Sequence, residues 1–536
     1  MSESRTLFMA FEPWRFFAKF LSIHRSTFPS RLLRKKEVAT REPHMTNKIL
    51  EKLRPKKLWQ KFYEISQIPR PSGKEEKIQN YLVELAQKKG LNHRMDEAKN
   101  VLIEVPPSKG YEQAPVVTLQ SHTDMVCIKR KSSKHNFERD PIRWKLLDGW
   151  LGAKDTTLGA DNGIGVAAML ALLEERKLCH GPLELLFTTD EERGLVGAFC
   201  VQPSFLKGSY LLNLDSEEEG SVFIGCAGGV DTIGTLSLKW SSPPEGKIAY
   251  RVGLQGGSGG HSGLEIHRPR ANGIKLLARA LHHLWEAGIQ FYLAHLEGGS
   301  KRNAIPDRAE AVIFFSPADK TKAQVLLANL ETQFQQEFSQ SDPQLELSGK
   351  KVSAAKSQPV LSPAQSQKIV QLLLALPHGV IAFDQHLENF VQTSTNLAIV
   401  SIQERKLVVE TSQRSSLESA KQAVQAFVRS VFQLAGAKVK HATDYPGWQP
   451  NPQSPLLKTL KETHKKLFKR EPVVKAIHAG LECGVFKRTF PHMHIASFGP
   501  SIEGAHTPEE KVNLASVQRF YRWLKEILFH LAKSKK

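Results

Sequence analysis

Apolar residues along the chain alternate between helical spacing and short continuous runs. Residues 74–89 carry apolar side chains at helical spacing and are followed by Gly90, as is typical of a helix that ends at a glycine. Residues 183–189 and 210–214 are apolar at almost every position, which is the pattern of strands covered on both faces. Because such strands and helices alternate up to Gly228, this part of the chain predicts an α/β domain.

The pattern changes in the middle of the chain. Strand-like and helix-like segments there predict a smaller sheet-and-helix domain, namely residues 247–254, 271–287, 309–315, 320–338, 362–376, 396–401, 406–411 and 417–434. A proline-rich stretch at 445–455 indicates a hinge, and the α/β pattern then returns and ends in an amphipathic helix at 513–533. We therefore expect a mixed-sheet α/β domain at 46–228 and 447–536, interrupted by an inserted α+β domain at 229–446.

Length and cysteine content narrow the class of protein. A chain of 536 residues exceeds one ordinary hydrophobic core, which agrees with several domains. Its five cysteines are scattered without a C-x-x-C pair, so neither a disulfide framework nor a cysteine-built zinc site is predicted. A reducing compartment, the cytoplasm, fits this usage, and the sequence has no apolar run long enough to predict a membrane partner.

The net charge raises the alternative of a nucleic-acid-binding protein. The formal charge is +20, and proteins that bind phosphates need clustered Lys and Arg. The basic residues are dispersed except at 34–36, 129–131 and 533–536, and no recognised nucleic-acid motif accompanies them. We therefore predict no nucleic-acid partner; a salt-dependent shift of mixed oligonucleotides would be needed to revive this alternative.

The first residues form a separate segment. Residues 1–44 contain nine Lys or Arg against four Glu and no Asp, with the aromatic stretch FEPWRFFAKF. The segment lacks the sustained apolar region of a signal peptide. We expect residues 1–45 to be an extension that is disordered or not translated, with translation starting at Met45; a targeting peptide is the alternative.

Polar residues follow the predicted strands where the strands end. His122 and Asp124 stand two residues apart beyond the apolar run at 115–120, so both can leave the strand on the same side. A carboxylate in that position can accept the second ring N–H of a metal-binding histidine. The other candidates are Asp161 in a glycine-rich turn, Glu191, Glu192, Asp215 and His506. In open α/β sheets ligands gather at the carboxyl ends of strands, so these side chains can converge.

These residue types suit a site for two metal ions. Nitrogen and oxygen ligands without thiolates fit zinc, cobalt or manganese. An aspartate can bridge two cations with its two oxygens, and two cations close together can hold a water and polarise a carbonyl. Of two adjacent glutamates, one can bind metal while its neighbour acts as general base.

The ordered motifs resemble a known family. They are SHTDMV, LGADNGIG, TTDEERG, LDSEEEG, GGHSG, RNAIP, HAGLECG and GAHTPEE, spread over residues 46–536. Together they resemble the aminoacyl-histidine dipeptidases, which belong to the larger group of two-zinc aminopeptidases, carboxypeptidases and aminoacylases.

The resemblance implies roles for particular residues. One zinc ion would be held by His122, Asp161 and Asp215, and the other by Asp161, Glu192 and His506. Asp124 would orient His122, and Glu191 would be the general base. The inserted domain would be a lid and dimerisation domain, in which His261 helps to stabilise the oxyanion across a homodimer, while Asn303 and Arg414 hold the free carboxylate of the substrate.

The resulting hypothesis is a cytoplasmic di-zinc dipeptidase for Xaa-His and broader dipeptides, in which a water bridging the two ions attacks the peptide carbonyl. Cobalt or manganese could replace zinc. Two alternatives stay open: hydrolysis of another amide, such as an N-acyl amino acid or a short peptide, and a metal-binding protein without catalysis. His478 and Glu482 could contact substrate or satisfy backbone groups in a turn, and Glu217, Glu218 and Glu219 are interpreted as a solvated run near the site.

Overall fold

The structure is a computed structural model, and it describes residues 49–353 and 358–533. The predicted extension at residues 1–45 lies outside the described part. Residues 49–52 are helical. The helices that follow are α1 Lys56–Ser66, α2 Glu76–Lys88, α3 Ala160–Leu172, α4 Val196–Cys200, α5 Gly273–Glu286, α6 Lys320–Glu337, α7 Pro363–Ala375, α8 Glu418–Leu434, α9 Pro455–Phe468, α10 Glu482–Thr489 and α11 Leu514–Lys533.

The strands range in length from two residues to 13. In chain order they are β1 His93–Met95, β2 Val101–Val105, β3 Val117–His122, β4 Trp144–Leu147, β5 Trp150–Ala153, β6 Leu183–Thr188, β7 Tyr210–Asn213, β8 Ser221–Cys226, β9 Gly228–Ser237, β10 Trp240–Ser241, β11 Ile248–Gln255, β12 Tyr292–Gly298, β13 Ala309–Phe315, β14 Glu346–Lys351, β15 Val360–Leu361, β16 Gly379–Phe383, β17 Val391–Gln403, β18 Lys406–Ser415, β19 Lys438–Tyr445, β20 Val473–Ile477, β21 His494–Ser497, β22 Ile502–Glu503 and β23 Lys511–Asn513.

An eight-stranded mixed sheet carries the predicted strand ends. Its order is β1-β2-β6-β3-β7-β21-β8-β20, so strands from both ends of the described chain share it. β3 runs parallel to both β6 and β7. All six residues of β3 and of β6 are buried, as expected for strands covered on both faces. The carboxyl ends of these three neighbouring strands therefore open at one edge of the sheet.

The middle of the chain forms a separate antiparallel sheet. Eight strands lie in the order β14-β11-β13-β12-β17-β18-β9-β19, and β16 pairs with β17 beside them. Helices α5 and α8 pack on this sheet, and α6 and α7 pack on α5. Their apolar side chains form a large shared core with the inward residues of the strands, such as Tyr250 and Phe315. The opposite face of β11 exposes Arg251 and Gln255, as in antiparallel sheets with one solvated face.

Two small sheets complete the described fold, and one of them connects distant parts of the site. Its order is β22-β23-β5-β4, and Val512 of β23 pairs with Leu151 of β5. The loop that contains His506 joins β22 to β23, and the turn that contains Asp161 follows β5. This sheet therefore brings the two segments close together although they are far apart in the sequence. The other small sheet pairs β10 with β15.

Helix α3 is irregular at its start. Asp161 (φ −79°, ψ 112°) and Asn162 (φ −101°, ψ 32°) have non-helical backbone angles, so the regular helix begins at Gly163 and ends at Leu172. Gly159 precedes it with φ +70°, a conformation that L side chains rarely adopt. At Gly165 a Cβ atom would lie 2.0 Å from Asn162 Oδ1 and 2.4 Å from Ser121 Oγ. The glycines therefore allow the turn and the close packing of α3 on β3.

Arg70 is a buried cation that holds the turns around the site. It is 2% exposed, and its guanidinium donates to the carbonyl oxygens of Thr123 at 2.9 Å, Asp124 at 2.8 Å and Gly159 at 2.5 Å. The carbonyls of Thr123 and Asp124 have no other donor in the described part of the chain, whereas the carbonyl of Gly159 also accepts the N–H of Gly163 at 3.2 Å. One side chain thus connects the end of β3 to the start of α3.

Replacing Arg70 by alanine is expected to lower the free energy of unfolding by about 3 kcal/mol or more, because buried acceptors lose their donors. Arg251→Ala is the matched control, since the Arg251 side chain is 52% exposed; its change should stay within about 0.5 kcal/mol. Chemical denaturation of both variants measures the difference. Equal small losses would contradict the structural role of Arg70.

Candidate active site

The predicted strand-end residues meet at the edge of the eight-stranded sheet. His122 is the last residue of β3, and Asp215 lies just after β7. Glu191 and Glu192 follow β6, in a turn in which the N–H of Gly194 donates to the carbonyl of Glu191. Because β3, β6 and β7 are adjacent and parallel, their ends present these side chains to the same space.

Asp161 lies at the centre of the group. Its Oδ1 is 3.0 Å from Nε2 of His122, and its Oδ2 is 3.2 Å from Nε2 of His506. Asp215 Oδ1 is 3.3 Å from the same His122 nitrogen, and Glu192 Oε1 is 2.9 Å from the same His506 nitrogen. The two oxygens of Asp161 therefore belong to two different histidine–carboxylate groups.

Asp124 positions both the His122 ring and the backbone of the two glutamates. Its Oδ1 is 3.2 Å from Nδ1 of His122, and its carboxylate accepts the backbone N–H groups of Glu191 at 3.0 Å and Glu192 at 3.2 Å. Burial opposes the charge of Asp124, but these bonds and the charge of His122 lower its pKa to about 2. One carboxylate thus fixes the His122 ring and the backbone of both glutamates.

The side chain of Glu191 differs from that of its neighbour. Glu192 contacts His506, whereas no hydrogen bond to the Glu191 carboxylate occurs within residues 49–353 and 358–533. Burial raises the pKa of Glu191 well above its ordinary value; the charge of His122 opposes this, and the charge of Asp215 adds to it. A raised carboxyl pKa near a cluster of this kind is typical of a group that accepts and returns a proton.

The cluster stabilises positive charge. Hydrogen bonds to Asp161 and Glu192 raise the pKa of His506 to about 11. Burial opposes the charged form of His122, yet Asp215, Asp124 and Asp161 raise its pKa well above the ordinary value. The same concentration of carboxylate oxygens would stabilise a divalent cation.

The donor atoms fit two metal ions. His122, Asp161 and Asp215 offer ligand atoms that all lie within 4.8 Å of one another, and so do Asp161, Glu192 and His506. Each set combines one imidazole nitrogen with carboxylate oxygens, a combination that suits zinc, cobalt or manganese. Asp161 is common to both sets, as a bridging ligand would be.

Glu510 is a supporting residue that the sequence reasoning missed. It is 3% exposed, and its carboxylate accepts the backbone N–H groups of Leu158 at 2.7 Å, Gly159 at 3.0 Å, Ala160 at 2.7 Å and Asp161 at 3.3 Å. These are the free N–H groups at the start of α3, where a carboxylate is favourable. The GAHTPEE motif contains Glu510 and a second glutamate beside it, but the sequence alone does not show which of the two side chains is buried.

A second buried network lies beneath the cluster. Glu482 Oε2 accepts from Gln120 Nε2 at 2.5 Å and from Thr188 Oγ1 at 3.0 Å, and Gln120 Oε1 accepts from Asn213 at 2.6 Å. These partners lie on β3, β6 and β7, at or near the strand ends. Glu482 therefore bonds side chains of β3 and β6 rather than backbone groups of its own turn, and contact with substrate stays a prediction.

The three predicted lid residues lie together on the antiparallel sheet and its loops. The N–H of Ser262, next to His261, donates to the carbonyl of Asn303 at 2.8 Å, and the charge of Arg414 acts on His261. Burial and that charge lower the pKa of His261 to about 4. Arg414 is 7% exposed; it donates to the hydroxyl of Tyr445 at 2.8 Å, while its Nε has no partner in the described part of the chain.

The candidate residues therefore form two groups. One group is His122, Asp124, Asp161, Glu191, Glu192, Asp215 and His506, and the other is His261, Asn303 and Arg414. No hydrogen bond joins one group to the other among the residues that the structure describes. His478, in the HAGLECG motif, bonds Ser394 on β17 through Nε2 at 2.7 Å, so this motif contacts both the antiparallel sheet and, through Glu482, strands β3 and β6.

The fold and the site together define a family. Residues 118–530 match the model of peptidase family M20/M25/M40. The chain belongs to this peptidase family, which confirms the predicted peptidase class and fold.

Individual members of the family show which peptidases this chain is similar to. The chain is 39% identical to the cytosol non-specific dipeptidase of Escherichia coli (strain K12) over 481 residues, which cover 89% of this chain and 98% of the relative. The crystal structure of aminoacylhistidine dipeptidase from Vibrio alginolyticus has a TM-score of 0.83 at 38% identity, covering 89% of this chain and 97% of that one. A tripeptidase from Staphylococcus aureus shares the fold, with a TM-score of 0.53 at 17% identity over 90% of this chain and all of that one. The predicted resemblance to aminoacyl-histidine dipeptidases is therefore confirmed.

Glu510→Ala is expected to weaken zinc binding about 10- to 100-fold, because the turn that presents Asp161 loses the acceptor of its N–H groups. Glu509→Ala is the matched control: the neighbouring carboxylate is 59% exposed and pairs with Arg130. Titration of metal-stripped protein against a competing chelator gives the affinities. An unchanged affinity in Glu510→Ala would exclude this supporting role.

Proposed function

We propose that this chain is a cytoplasmic, metal-dependent dipeptidase that acts as a homodimer on Xaa-His and broader dipeptides. The observation that carries the proposal is the carboxylate of Asp161, shared between two histidine–carboxylate sets. Beside it lies the carboxylate of Glu191, which has no hydrogen-bond partner among the described residues. The relatives named above as dipeptidases support the substrate class. No helix in the described ranges is long and apolar enough to cross a membrane.

Two zinc ions fit the donor atoms of the site, with cobalt or manganese as substitutes. One would be held by His122, Asp161 and Asp215, and the other by Asp161, Glu192 and His506. When bound, such ions polarise a carbonyl and make a water more acidic.

Glu191 is the proposed general base. Its side chain accepts a proton from the water that attacks the scissile carbonyl, and it then donates this proton to the nitrogen of the leaving amine. The amine must leave protonated for the C–N bond to break. Asp124 helps by holding the backbone N–H of Glu191, which limits movement of the base.

His261 is proposed to stabilise the oxyanion through Nε2. Its Nδ1 accepts the backbone N–H groups of Gly263 at 3.2 Å and Leu264 at 3.1 Å, so the ring proton stays on Nε2 in the neutral ring. A neutral ring is expected at pH 7 because the pKa of His261 is lowered to about 4. Nε2–H is then a donor for the developing negative charge.

Arg414 and Asn303 are proposed to hold the free carboxylate of the dipeptide. A buried guanidinium with an unused N–H is a strong carboxylate donor. Because the two groups of residues are not bonded to each other, the lid residues would act when the lid closes on the substrate, from the same chain or from the second copy.

The test of this function is hydrolysis of β-Ala-His, Gly-His and Leu-Leu beside an N-acetyl amino acid, with protein stripped by a chelator and reloaded with zinc. We expect zinc to restore cleavage of the dipeptides. Cleavage of the N-acetyl compound alone would indicate another amide hydrolase, and no cleavage by folded, loaded protein would indicate a protein without catalysis.

Two variants separate the roles of the site residues. Glu191→Ala is expected to keep its zinc and lose about 10²- to 10⁴-fold in kcat, because it removes only the proton acceptor. Asp161→Ala is expected to lose zinc as well, because both sets lose a ligand. Metal analysis and steady-state kinetics measure both effects, and equal loss of metal in the two variants would contradict this division of roles.

A further inference from the structure

Three consecutive glutamates follow the end of β7, and the side chain of one of them has no partner among the described residues. Glu218 pairs with Lys475 and accepts from Ser221 at 2.9 Å, while Glu219 pairs with Arg519. The side chain of Glu217 is exposed, and no hydrogen bond or ion pair reaches it from any residue that the structure describes. Residues 217–219, which the sequence analysis interprets as a solvated run, therefore contain two paired carboxylates and one free carboxylate.

The backbone holds Glu217 beside the proposed metal ligands. It lies two residues after Asp215, and its carbonyl accepts the N–H of Ile502 at 3.0 Å, at the start of the hairpin that carries His506. At Gly499 a Cβ atom would lie 1.8 Å from the carbonyl oxygen of Ser216, so this segment is tightly packed. The charged groups that act on the Glu217 carboxylate are Asp161, Asp215, His506 and Glu510.

We propose that Glu217 binds the N-terminal ammonium group of the dipeptide substrate. This assignment rests on the proposed function. In a dipeptide, only the α-carbon separates the ammonium group from the scissile carbonyl when the first residue is an α-amino acid. An ammonium group bound close to two divalent cations is repelled by them, and a free carboxylate offsets this repulsion.

The other carboxylates of the site are committed elsewhere. Asp161, Asp215 and Glu192 face the histidines, Asp124 holds His122, and Glu191 is the proposed base. Glu482 also has an unpartnered oxygen, but that residue is 1% exposed and lies beneath the cluster. Glu217 is therefore the exposed, unpaired carboxylate that a substrate can reach.

Specificity follows from this position. A carboxylate that pairs with the ammonium group favours substrates with a free N-terminus over N-acylated ones. Arg414 and Asn303 would bind the carboxylate at the opposite end of the same dipeptide. Charged contacts at both ends would select for short length, because a longer peptide cannot place both termini in these two positions.

The experiment compares Glu217→Gln with Glu218→Gln, a neighbouring substitution that leaves the free carboxylate intact. Each zinc-loaded variant is assayed with Leu-Leu, and N-acetyl-Leu-Leu is measured as substrate or competitive inhibitor. We expect KM for Leu-Leu to rise about 10- to 100-fold in Glu217→Gln, as for the loss of a hydrogen bond between charged groups. In Glu217→Gln, the KM or inhibition constant for N-acetyl-Leu-Leu and the zinc content should change little. In Glu218→Gln, the KM for Leu-Leu should also change little.

An unchanged KM for Leu-Leu, or the same change for the free and acetylated dipeptides, would overturn the assignment while the dipeptidase function stands. Loss of zinc in Glu217→Gln would also overturn it, since Glu217 would then be a metal ligand. If the wild-type protein cleaves no dipeptide, the proposed function fails and the assignment fails with it.

Discussion

The sharing of one carboxylate between two histidines is the constraint on which the site depends. Asp161 faces His122 with one oxygen and His506 with the other, so a small shift of this side chain would disturb both groups. Glu510 accepts the N–H groups of the turn that carries Asp161, and Arg70 donates to the carbonyl of Gly159 in the same turn. The small sheet that pairs β5 with β23 then fixes the distance between this turn and the His506 loop.

The same architecture separates the tasks of the carboxylates. The carboxylates in contact with a histidine stabilise positive charge. That positive charge in turn keeps these buried carboxylates ionised. Among the residues that the structure describes, Glu191 lies beside them without a hydrogen bond to its carboxylate and is suited to carry a proton. Glu217 is exposed, and its carboxylate has no partner in the same ranges, so it can attract a cationic substrate group. The antiparallel sheet contributes one group of the opposite sign to the candidate set, the buried guanidinium of Arg414.

Much of the fold and of the cluster of candidate metal ligands could be predicted from the sequence because the signals are local. The spacing of His122 and Asp124 predicts two side chains on one side of a strand end, and they do lie 3.2 Å apart. The inward turn of Glu510 depends instead on contacts made between segments far apart in the sequence. The run 217–219 consists of three identical residues, so the sequence alone cannot distinguish them. Only the positions of Lys475 and Arg519 in the fold show which glutamates are paired and which one is free. The kink in α3 at Asp161 and Asn162 lies against Gly165, and the spacing of apolar residues does not reveal it. The division into domains at 46–228, 229–446 and 447–536 stays a prediction.

Anomalous scattering from crystals of this protein grown with zinc would show whether Asp161 is shared between two metal ions. We expect two zinc peaks, one beside His122 and Asp215 and the other beside His506 and Glu192, with the carboxylate of Asp161 between them. A single peak, or two peaks of which one does not touch Asp161, would contradict the shared carboxylate and the reaction built on it.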